Sequence, residues 1–309
     1  MMPSICDVPG IKVGHAQHQQ ARTGCTVIIP PTPAIAGVDV RGSAPGTREL
    51  ELLKPIRLVT QVHAILLTGG SAFGLDAAGG VQQYLEERGV GYDTGVAKVP
   101  IVPAAVIFDL AVGDPRVRPD KPLGYQACIN ATETETSEGQ IGVGTGATVG
   151  KILGHGYAMN GGIGMASEIL GNQVVVGVLV VVNALGDVVD PDSGQIIAGA
   201  RDPQGKGFLN TAKFLRLQSG TPFTRTTNTT LAVVATDAIL TKEQAIKLAQ
   251  MAQDGIARAV RPAHTMYDGD LVFALSVGQK QADVMALGSV ASELVAQAIV
   301  RAVKVANKL

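Results

Sequence analysis

The sequence has no tryptophan, and aromatic residues make up only 4% of its 309 positions. A surface on which the bases of single-stranded nucleic acid could stack is therefore not expected. Charge is also scarce, since charged residues make up 17% of the chain and the formal net charge is −1. Such a chain has no electrostatic field that attracts nucleic acid or an anionic membrane. We expect no nucleic-acid partner.

Cysteine and long apolar runs are scarce as well. Cys6, Cys25 and Cys128 are too few and too widely spaced for a disulfide framework or a metal site, and are typical of small buried residues in a reducing compartment. The first residues show no basic segment followed by an apolar run, so no signal peptide is predicted. The longest apolar run, residues 174–182, is too short to cross a bilayer. We expect a cytoplasmic protein without a membrane partner.

Glycine and aliphatic residues are plentiful. The chain has 38 glycines, and 46% of its residues are hydrophobic, which allows a sizeable core with close packing between backbone layers. Strand patterns are mixed with helix patterns, but without a regular βαβα alternation. This order favours a layered α+β fold or a mixed α/β sandwich, in which stacked sheets flanked by helices would cover the buried strands.

Apolar periodicity and turn residues predict the main elements. The predicted strands are residues 11–15, 25–29, 35–41, 62–67, 173–190, 231–236 and 271–277, and the predicted helices are 71–89, 122–132, 241–260 and 283–308. Ser71 is expected to cap the first helix, and Thr241 with Gln244 to form a capping box for the third. Glycine-dense residues 142–164 are interpreted as loops and strand edges, and polar residues 201–228 as a surface connection.

No motif for a cofactor is found. Residues 146–151 resemble a phosphate-binding loop, but they have one residue too few between the glycines and are followed by Ile152 where serine or threonine is needed. The five histidines are scattered without the spacing of metal ligands. Neither a nucleotide nor a metal cofactor is predicted.

Two short polar clusters carry candidate chemistry. The first is Asn228-Thr229-Thr230, where a threonine-rich segment gives way to an apolar strand, and the second is residues 264–270, with Asp268 and Asp270 around a glycine. A threonine at a chain's N-terminus carries a nucleophilic hydroxyl and a basic amine on one residue, and that amine has a pKa near ~8. On local pattern alone, an ordinary polar loop or turn is the commoner use of each cluster.

Further residues have the types that such a nucleophile needs. A carboxylate would orient the amine, and a cation or amide N–H would stabilise the oxyanion. Lys151, Asn183, Asp268 and Asp270 have these types. Their spacing does not show that they converge.

Ordered motifs run through the whole chain: IKVGH, TGCTVI, GVDVRGSAPGTRE, LLTGGSAFGLDAAGGV, PAAVIFDL, GTGATVGK, VVVNALGDVVD, NTTLAVVATDA, ARAVRPAHTMYDGD and ALGSVASE. In these motifs the chain resembles the self-processing L-aminopeptidase/D-amidase–esterase family, which includes β-peptidyl aminopeptidases and nylon-oligomer hydrolases. The resemblance implies a four-layer αββα sandwich like that of N-terminal-nucleophile hydrolases, formed by a single domain over residues 1–309. It also implies an assembly of four αβ protomers.

The resemblance also implies a site. Cleavage between Asn228 and Thr229 would leave residues 1–228 and 229–309, with Thr229 as the catalytic nucleophile acting on a small amide or short peptide. Lys151, Asn183, Asp268 and Asp270 match the other catalytic positions of the threonine-type branch, with Asn183 and Lys151 as candidates to stabilise the oxyanion. An acyltransferase resembling ornithine acetyltransferase, or a non-catalytic scaffold, is the alternative. The choice among α-, β- and ω-amino acid substrates stays open.

Overall fold

The computed structural model describes residues 2–218 and 228–309. The strands are β1 (Lys12–His18), β2 (Thr23–Ile29), β3 (Ala34–Val40), β4 (Thr47–Arg48), β5 (Gln61–Val62), β6 (Ile65–Thr68), β7 (Tyr92–Asp93), β8 (Lys98–Val99), β9 (Ala104–Val106), β10 (Thr148–Val149), β11 (Met159–Asn160), β12 (Gly162–Ile169), β13 (Val175–Asn183), β14 (Asp187–Val189), β15 (Ile196–Ala198), β16 (Thr229–Ala238), β17 (Val260–Arg261) and β18 (Leu271–Lys280). The α-helices are α1 (Ala77–Glu86), α2 (Lys121–Ile129), α3 (Thr211–Leu217), α4 (Lys242–Ala259) and α5 (Val284–Asn307).

Two sheets form the centre of the fold. The first has the strand order β1-β2-β6-β9-β4, and the second has the order β12-β13-β16-β18-β3-β5. Neighbouring strands in both sheets are antiparallel except for β6 with β9 and β16 with β18, which are parallel. Strands β14, β15 and β17 form a small third sheet, and β10–β11 and β7–β8 form two-stranded ribbons.

Alternation along the strands sorts the core into layers. In β13, Val178 and Val180 belong to the cluster packed against α4 and α5. Leu179 and Val181 point the other way, into the cluster between the two sheets. A third cluster lies between the first sheet and α1 with α2. Because side chains alternate across a strand, the order is helices, sheet, sheet, helices, as expected for the αββα sandwich.

Glycines allow the helices to lie close to the sheets. A Cβ on Gly164 of β12 would lie 2.0 Å from the carbonyl oxygen of Ala298 in α5. A Cβ on Gly14 of β1 would lie 2.0 Å from the carbonyl oxygen of Ala127 in α2. The predicted use of glycine for close packing between layers is therefore confirmed at these positions.

The predicted boundaries of the two longest helices are confirmed. Thr241 accepts the Gln244 N–H at 3.2 Å, and the Gln244 side chain accepts the Thr241 N–H at 2.9 Å, which is the capping box at the start of α4. Asp283 caps α5, which ends at Asn307. Hydrogen bonds between neighbouring residues mark both helix starts, so the sequence alone predicts them.

Two local predictions are wrong. The apolar run 62–67 is not one strand, because β5 pairs within the second sheet and β6 within the first, and the chain crosses between them at His63 and Ala64. Ser71 does not cap a helix with its side chain. It has a left-handed backbone with φ of 54° and opens a 3₁₀ helix, Ser71–Asp76, which precedes α1.

The remaining differences concern glycine-rich and polar segments. Residues 142–164 contain the start of β12, which its glycines hid from the strand pattern. The predicted strand 173–190 breaks over residues 184–186, between β13 and β14. The predicted connection 201–228 contains α3, and its residues 219–227 lie outside the described residues.

Helix α5 is long and apolar enough to cross a membrane by length and composition alone, with a mean hydropathy of 1.4. Half of that stretch is buried inside the protein. The helix packs on β12 and α4. These contacts are typical of a core helix in a layered fold.

Candidate active site

The pairing of β13 with β16 brings two of the predicted site residues together. Asn183 is the last residue of β13 and Thr229 is the first of β16, and the antiparallel register places them opposite each other. Asn183 is fully buried and Thr229 is 5% exposed. Residues far apart in the sequence thus meet at one end of the second sheet.

The loop after β17 lies against the peptide bond that precedes Thr229. Asn228 donates its N–H to Tyr267 O at 3.0 Å, and Gly269 donates its N–H to Asn228 O at 2.8 Å. The hydroxyl of Thr229 donates to the same Asn228 carbonyl oxygen at 2.5 Å. This carbonyl oxygen therefore accepts one backbone donor and the hydroxyl of the next residue.

The two aspartates of this loop act as hydrogen-bond acceptors on either side of Gly269. Asp270 accepts the Thr230 N–H at 2.6 Å with one oxygen. With its other oxygen it accepts the His264 N–H at 2.9 Å, and it lies 3.0 Å from His264 Nδ1. Asp268 accepts the N–H and the hydroxyl of Thr265 at 2.9 and 2.5 Å. Both carboxylates are thereby fixed beside the start of β16.

A second segment fixes this loop from the other side. Arg41 and Gly42 donate their N–H groups to Asp270 O at 3.0 Å, and Ala44 donates to Asp268 O at 2.9 Å. These donors follow β3, which pairs with β18. The motif at residues 37–49 therefore positions the loop that carries both aspartates.

Lys151 lies in the interior beside Asn183. Its ammonium donates to the backbone oxygen and to Oδ1 of Asn183, both at 2.8 Å. Asn183 Oδ1 also accepts the Thr148 N–H at 3.1 Å, while Asn183 Nδ2 donates to Phe108 O at 3.2 Å. The orientation of the Asn183 amide is thus set by three neighbours.

Burial dominates the electrostatics of this group. Desolvation lowers the pKa of Lys151 to about 7, against the opposing charges of Asp268, Asp109 and Asp270. Desolvation raises the pKa of Asp268, and the Asp270 charge raises it further, while Thr265 and Lys151 oppose the rise. A lysine with a pKa near neutrality can hold or release a proton at working pH.

All the predicted site residues are brought together in one buried group: Thr229, Lys151, Asn183, Asp268 and Asp270. Sequence reasoning missed Asp109 and the backbone N–H of Gly269, and it treated His264 only as part of a turn. Asp109 is the next-to-last residue of the motif PAAVIFDL, so a signal for it was present in the sequence. In residues 2–218 and 228–309, no group of three or more His, Cys, Asp and Glu side chains is arranged to hold a metal ion.

The chain is similar to known hydrolases over nearly its whole length. The model of peptidase family S58 matches residues 3–309. An uncharacterized aminopeptidase of Mycobacterium tuberculosis is 46% identical over 298 residues, which cover 90% of this chain and 82% of that protein. A 6-aminohexanoate-oligomer endohydrolase of Kocuria sp. is 32% identical over 315 residues, which cover 96% of this chain and 85% of that protein.

A solved structure agrees with the fold. The L-aminopeptidase D-Ala-esterase/amidase of Ochrobactrum anthropi, described as a variant of the Ntn hydrolase fold, superposes with a TM-score of 0.71 at 21% identity. The match covers 97% of this chain and 86% of that one. Fold and relatives together define a hydrolase of amide or peptide bonds with the α+β sandwich of the Ntn hydrolases. The chain belongs to peptidase family S58, which confirms the resemblance drawn from its motifs.

Proposed function

We propose that the chain cleaves itself between Asn228 and Thr229 and then uses Thr229 as an N-terminal nucleophile. The observation that supports this most directly is the pair of donors on the Asn228 carbonyl oxygen, the Thr229 hydroxyl at 2.5 Å and the Gly269 N–H at 2.8 Å. The peptide bond to be broken thus lies beside its attacking hydroxyl. A fixed donor also stands where negative charge would develop.

Self-cleavage would begin with attack of Thr229 Oγ on the carbonyl carbon of Asn228. The hydroxyl proton leaves to a base, the Gly269 N–H stabilises the oxyanion, and the Thr229 nitrogen takes a proton as its bond to carbon breaks. This shift leaves a free amine on Thr229 and an ester on its Oγ. Water then hydrolyses the ester, which gives a carboxylate on Asn228 and restores the Thr229 hydroxyl. Before cleavage this nitrogen is an amide and cannot be the base. Lys151, with a pKa of about 7, is the candidate base for this step.

After cleavage the same hydroxyl would attack substrate amides. The new amine, with a pKa near ~8, acts as base, and Asp268 with Asp270 positions it. Asn183 and Lys151 are the candidate donors to the oxyanion. One N–H of the Asn183 amide is already given to Phe108 O, so its second N–H would serve the substrate.

The substrate we propose is a small amide or a short peptide. The relatives are named as an aminopeptidase and as a 6-aminohexanoate-oligomer endohydrolase, which suggests peptide N-termini and ω-amino acid oligomers as the two classes to compare. A panel of α-, β- and ω-amino acid amides offered to the purified enzyme would rank them. We also propose assembly into a tetramer of αβ protomers, which sedimentation would measure.

The nucleophile is tested with variants at two adjacent threonines. Thr229→Ala should stop both self-cleavage and hydrolysis, and Thr229→Ser should retain some cleavage because an attacking oxygen remains. Thr230→Ala is the matched control, since Thr230 is also a buried threonine one position away, and it should be processed nearly normally. Thr227, a further control position, lies outside the described residues.

Denaturing electrophoresis and N-terminal sequencing would follow the products. Wild type should give pieces of residues 1–228 and 229–309, the second beginning Thr-Thr-Leu. A permanently intact wild-type chain that still hydrolyses amides would refute the mechanism. An inactive Thr230→Ala beside an active Thr229→Ala would move the nucleophile by one residue.

A further inference from the structure

Asp109 is a buried carboxylate to which the mechanism above gives no role. It follows β9 in the first sheet and is 2% exposed. Its Oδ1 accepts the Gly70 N–H at 2.7 Å. A Cβ on Gly69 would lie 2.1 Å from its Oδ2 and 2.5 Å from the Thr23 hydroxyl, so the carboxylate and this hydroxyl share one confined space. The side chain is therefore held in one position by packing.

The backbone next to Asp109 reaches the candidate active site. Phe108 O accepts from Asn183 Nδ2 at 3.2 Å. This bond turns Asn183 Oδ1 towards the Lys151 ammonium, 2.8 Å away. The bond from Gly70 to Asp109 fixes the same short segment, so the aspartate holds the carbonyl that orients the Asn183 amide.

The charge of Asp109 also acts on Lys151. Asp268 and Asp270 act on this ammonium from the loop after β17, and Asp109 acts on it from the first sheet. The imidazole of His155 lies near enough to be influenced by Lys151 in turn. Burial is the largest influence on the pKa of Asp109 and raises it, while Gly70, Thr23 and Lys151 oppose that rise.

We propose that Asp109 is a positioning residue of the hydrolase, which orients Asn183 through the Phe108 carbonyl and supplies a third negative charge to the Lys151 ammonium. This inference rests on the proposed function, in which Lys151 and Asn183 serve Thr229. Asp109 follows a strand of the first sheet, whereas the site residues predicted from the sequence lie on the second sheet, in the loop after β17 and in the turn after β10.

The test is the pH profile of self-cleavage in Asp109→Asn. Asparagine keeps Oδ1 for the Gly70 N–H but removes the charge. Cleavage of intact precursor is the reaction to follow, because the Thr229 nitrogen is still an amide and adds no titrating amine. Asp109 raises the pKa of Lys151, so removing its negative charge lowers that pKa, and the near-neutral inflection should move to lower pH by about one unit or more.

A matched control separates this charge effect from the loss of any buried carboxylate. Asp187 is 1% exposed, and its pKa is likewise raised by burial. It accepts from Ala200 and Thr211, and it is not among the charges that act on Lys151. Asp187→Asn should therefore leave the inflection at its wild-type pH, even if the variant is less stable.

Thr23→Val is a second variant in case Asp109→Asn does not fold. The Thr23 hydroxyl shares the confined space of the Asp109 carboxylate beside Gly69 and lowers the pKa of that carboxyl group, so its loss should move the inflection the same way by a smaller amount. Intact precursor would be made by cell-free synthesis and then kept on ice. It would be transferred to buffers from about pH 5 to about pH 9 to start self-cleavage, and circular dichroism would check its folding. A folded Asp109→Asn chain whose inflection stays at the wild-type pH overturns the inference but leaves Thr229 as the nucleophile. If only Thr23→Val folds, an inflection at the wild-type pH in that variant has the same meaning. Cleavage in Thr229→Ala would overturn the proposed function itself.

Discussion

Replacing Gly269 with alanine tests the geometry around the bond before Thr229. Gly269 donates its N–H to the Asn228 carbonyl oxygen. Alanine keeps this donor but adds a methyl group that would lie 2.8 Å from the Thr229 hydroxyl oxygen and 2.8 Å from Ala44 O. The backbone of Gly269 is not left-handed, so the substitution introduces crowding without strain in φ.

The size of the effect follows from these distances. Ordinary contacts of a Cβ begin at 3.4 Å, so each of the two contacts has to lengthen by roughly 0.6 Å. Ala44 O belongs to the backbone segment that donates to Asp268 O, so relieving both contacts moves the loop as well as the hydroxyl. A misplacement of about 1 Å can cost about 100-fold in rate. We expect self-cleavage to slow by about 10- to 100-fold.

Disappearance of the intact chain on denaturing gels would measure this rate. Gly171→Ala is the matched control, because a Cβ at Gly171 would meet nothing within 4 Å, and it should cleave at the wild-type rate. A folded Gly269→Ala chain that cleaves as fast as Gly171→Ala would show that the contact between residue 269 and the Thr229 hydroxyl does not matter for attack.

Three other predictions concern Asn183, Lys151 and metal ions. Asn183→Ala should lower kcat by about 100- to 1,000-fold, the usual loss for one oxyanion donor, and a loss below about threefold would argue against that role. In a Thr229→Ala background, which keeps the chain intact, the free energy of unfolding should rise with pH from about 7 to about 8.5, because the unfolded chain then binds a proton on Lys151 that the folded chain has lost. Lys151→Met should remove this rise in denaturant titrations, and parallel curves for both chains would contradict the shifted pKa. Dialysis against a strong chelator should leave hydrolysis unchanged, whereas a loss that zinc or manganese restores would show a metal requirement.

The sequence predicts those features that depend on neighbouring residues. The capping box of Thr241 and Gln244 needs only four consecutive positions, and the nearly continuous apolar run of β13 marks a strand covered on both faces. The apolar run 62–67 has no such local signal for the sheet to which each half belongs. It was predicted as one strand because hydrophobicity alone does not distinguish two stacked sheets.

The candidate site likewise has features that the sequence predicts and features that it does not. Chemistry and family motifs select Thr229, Lys151, Asn183, Asp268 and Asp270 as residue types, but the meeting of Asn183 with Thr229 depends on the register between β13 and β16. A shift by one residue would turn every side chain of the strand to its other face. Asp109 was missed for a related reason, since its carboxylate approaches from the first sheet and no spacing in the sequence relates it to Lys151.

The burial of these charges is itself an argument about function. Lys151, Asp109, Asp268 and Asp270 are all at most 2% exposed, and removing such groups from water costs several kcal/mol per ion. Apolar residues of similar volume would stabilise the same space at least as well. A fold that needed only stability would gain nothing from this arrangement. Perturbed and closely coupled ionisable groups are the condition that proton transfer requires, and they surround the single peptide bond whose carbonyl oxygen accepts the hydroxyl of Thr229.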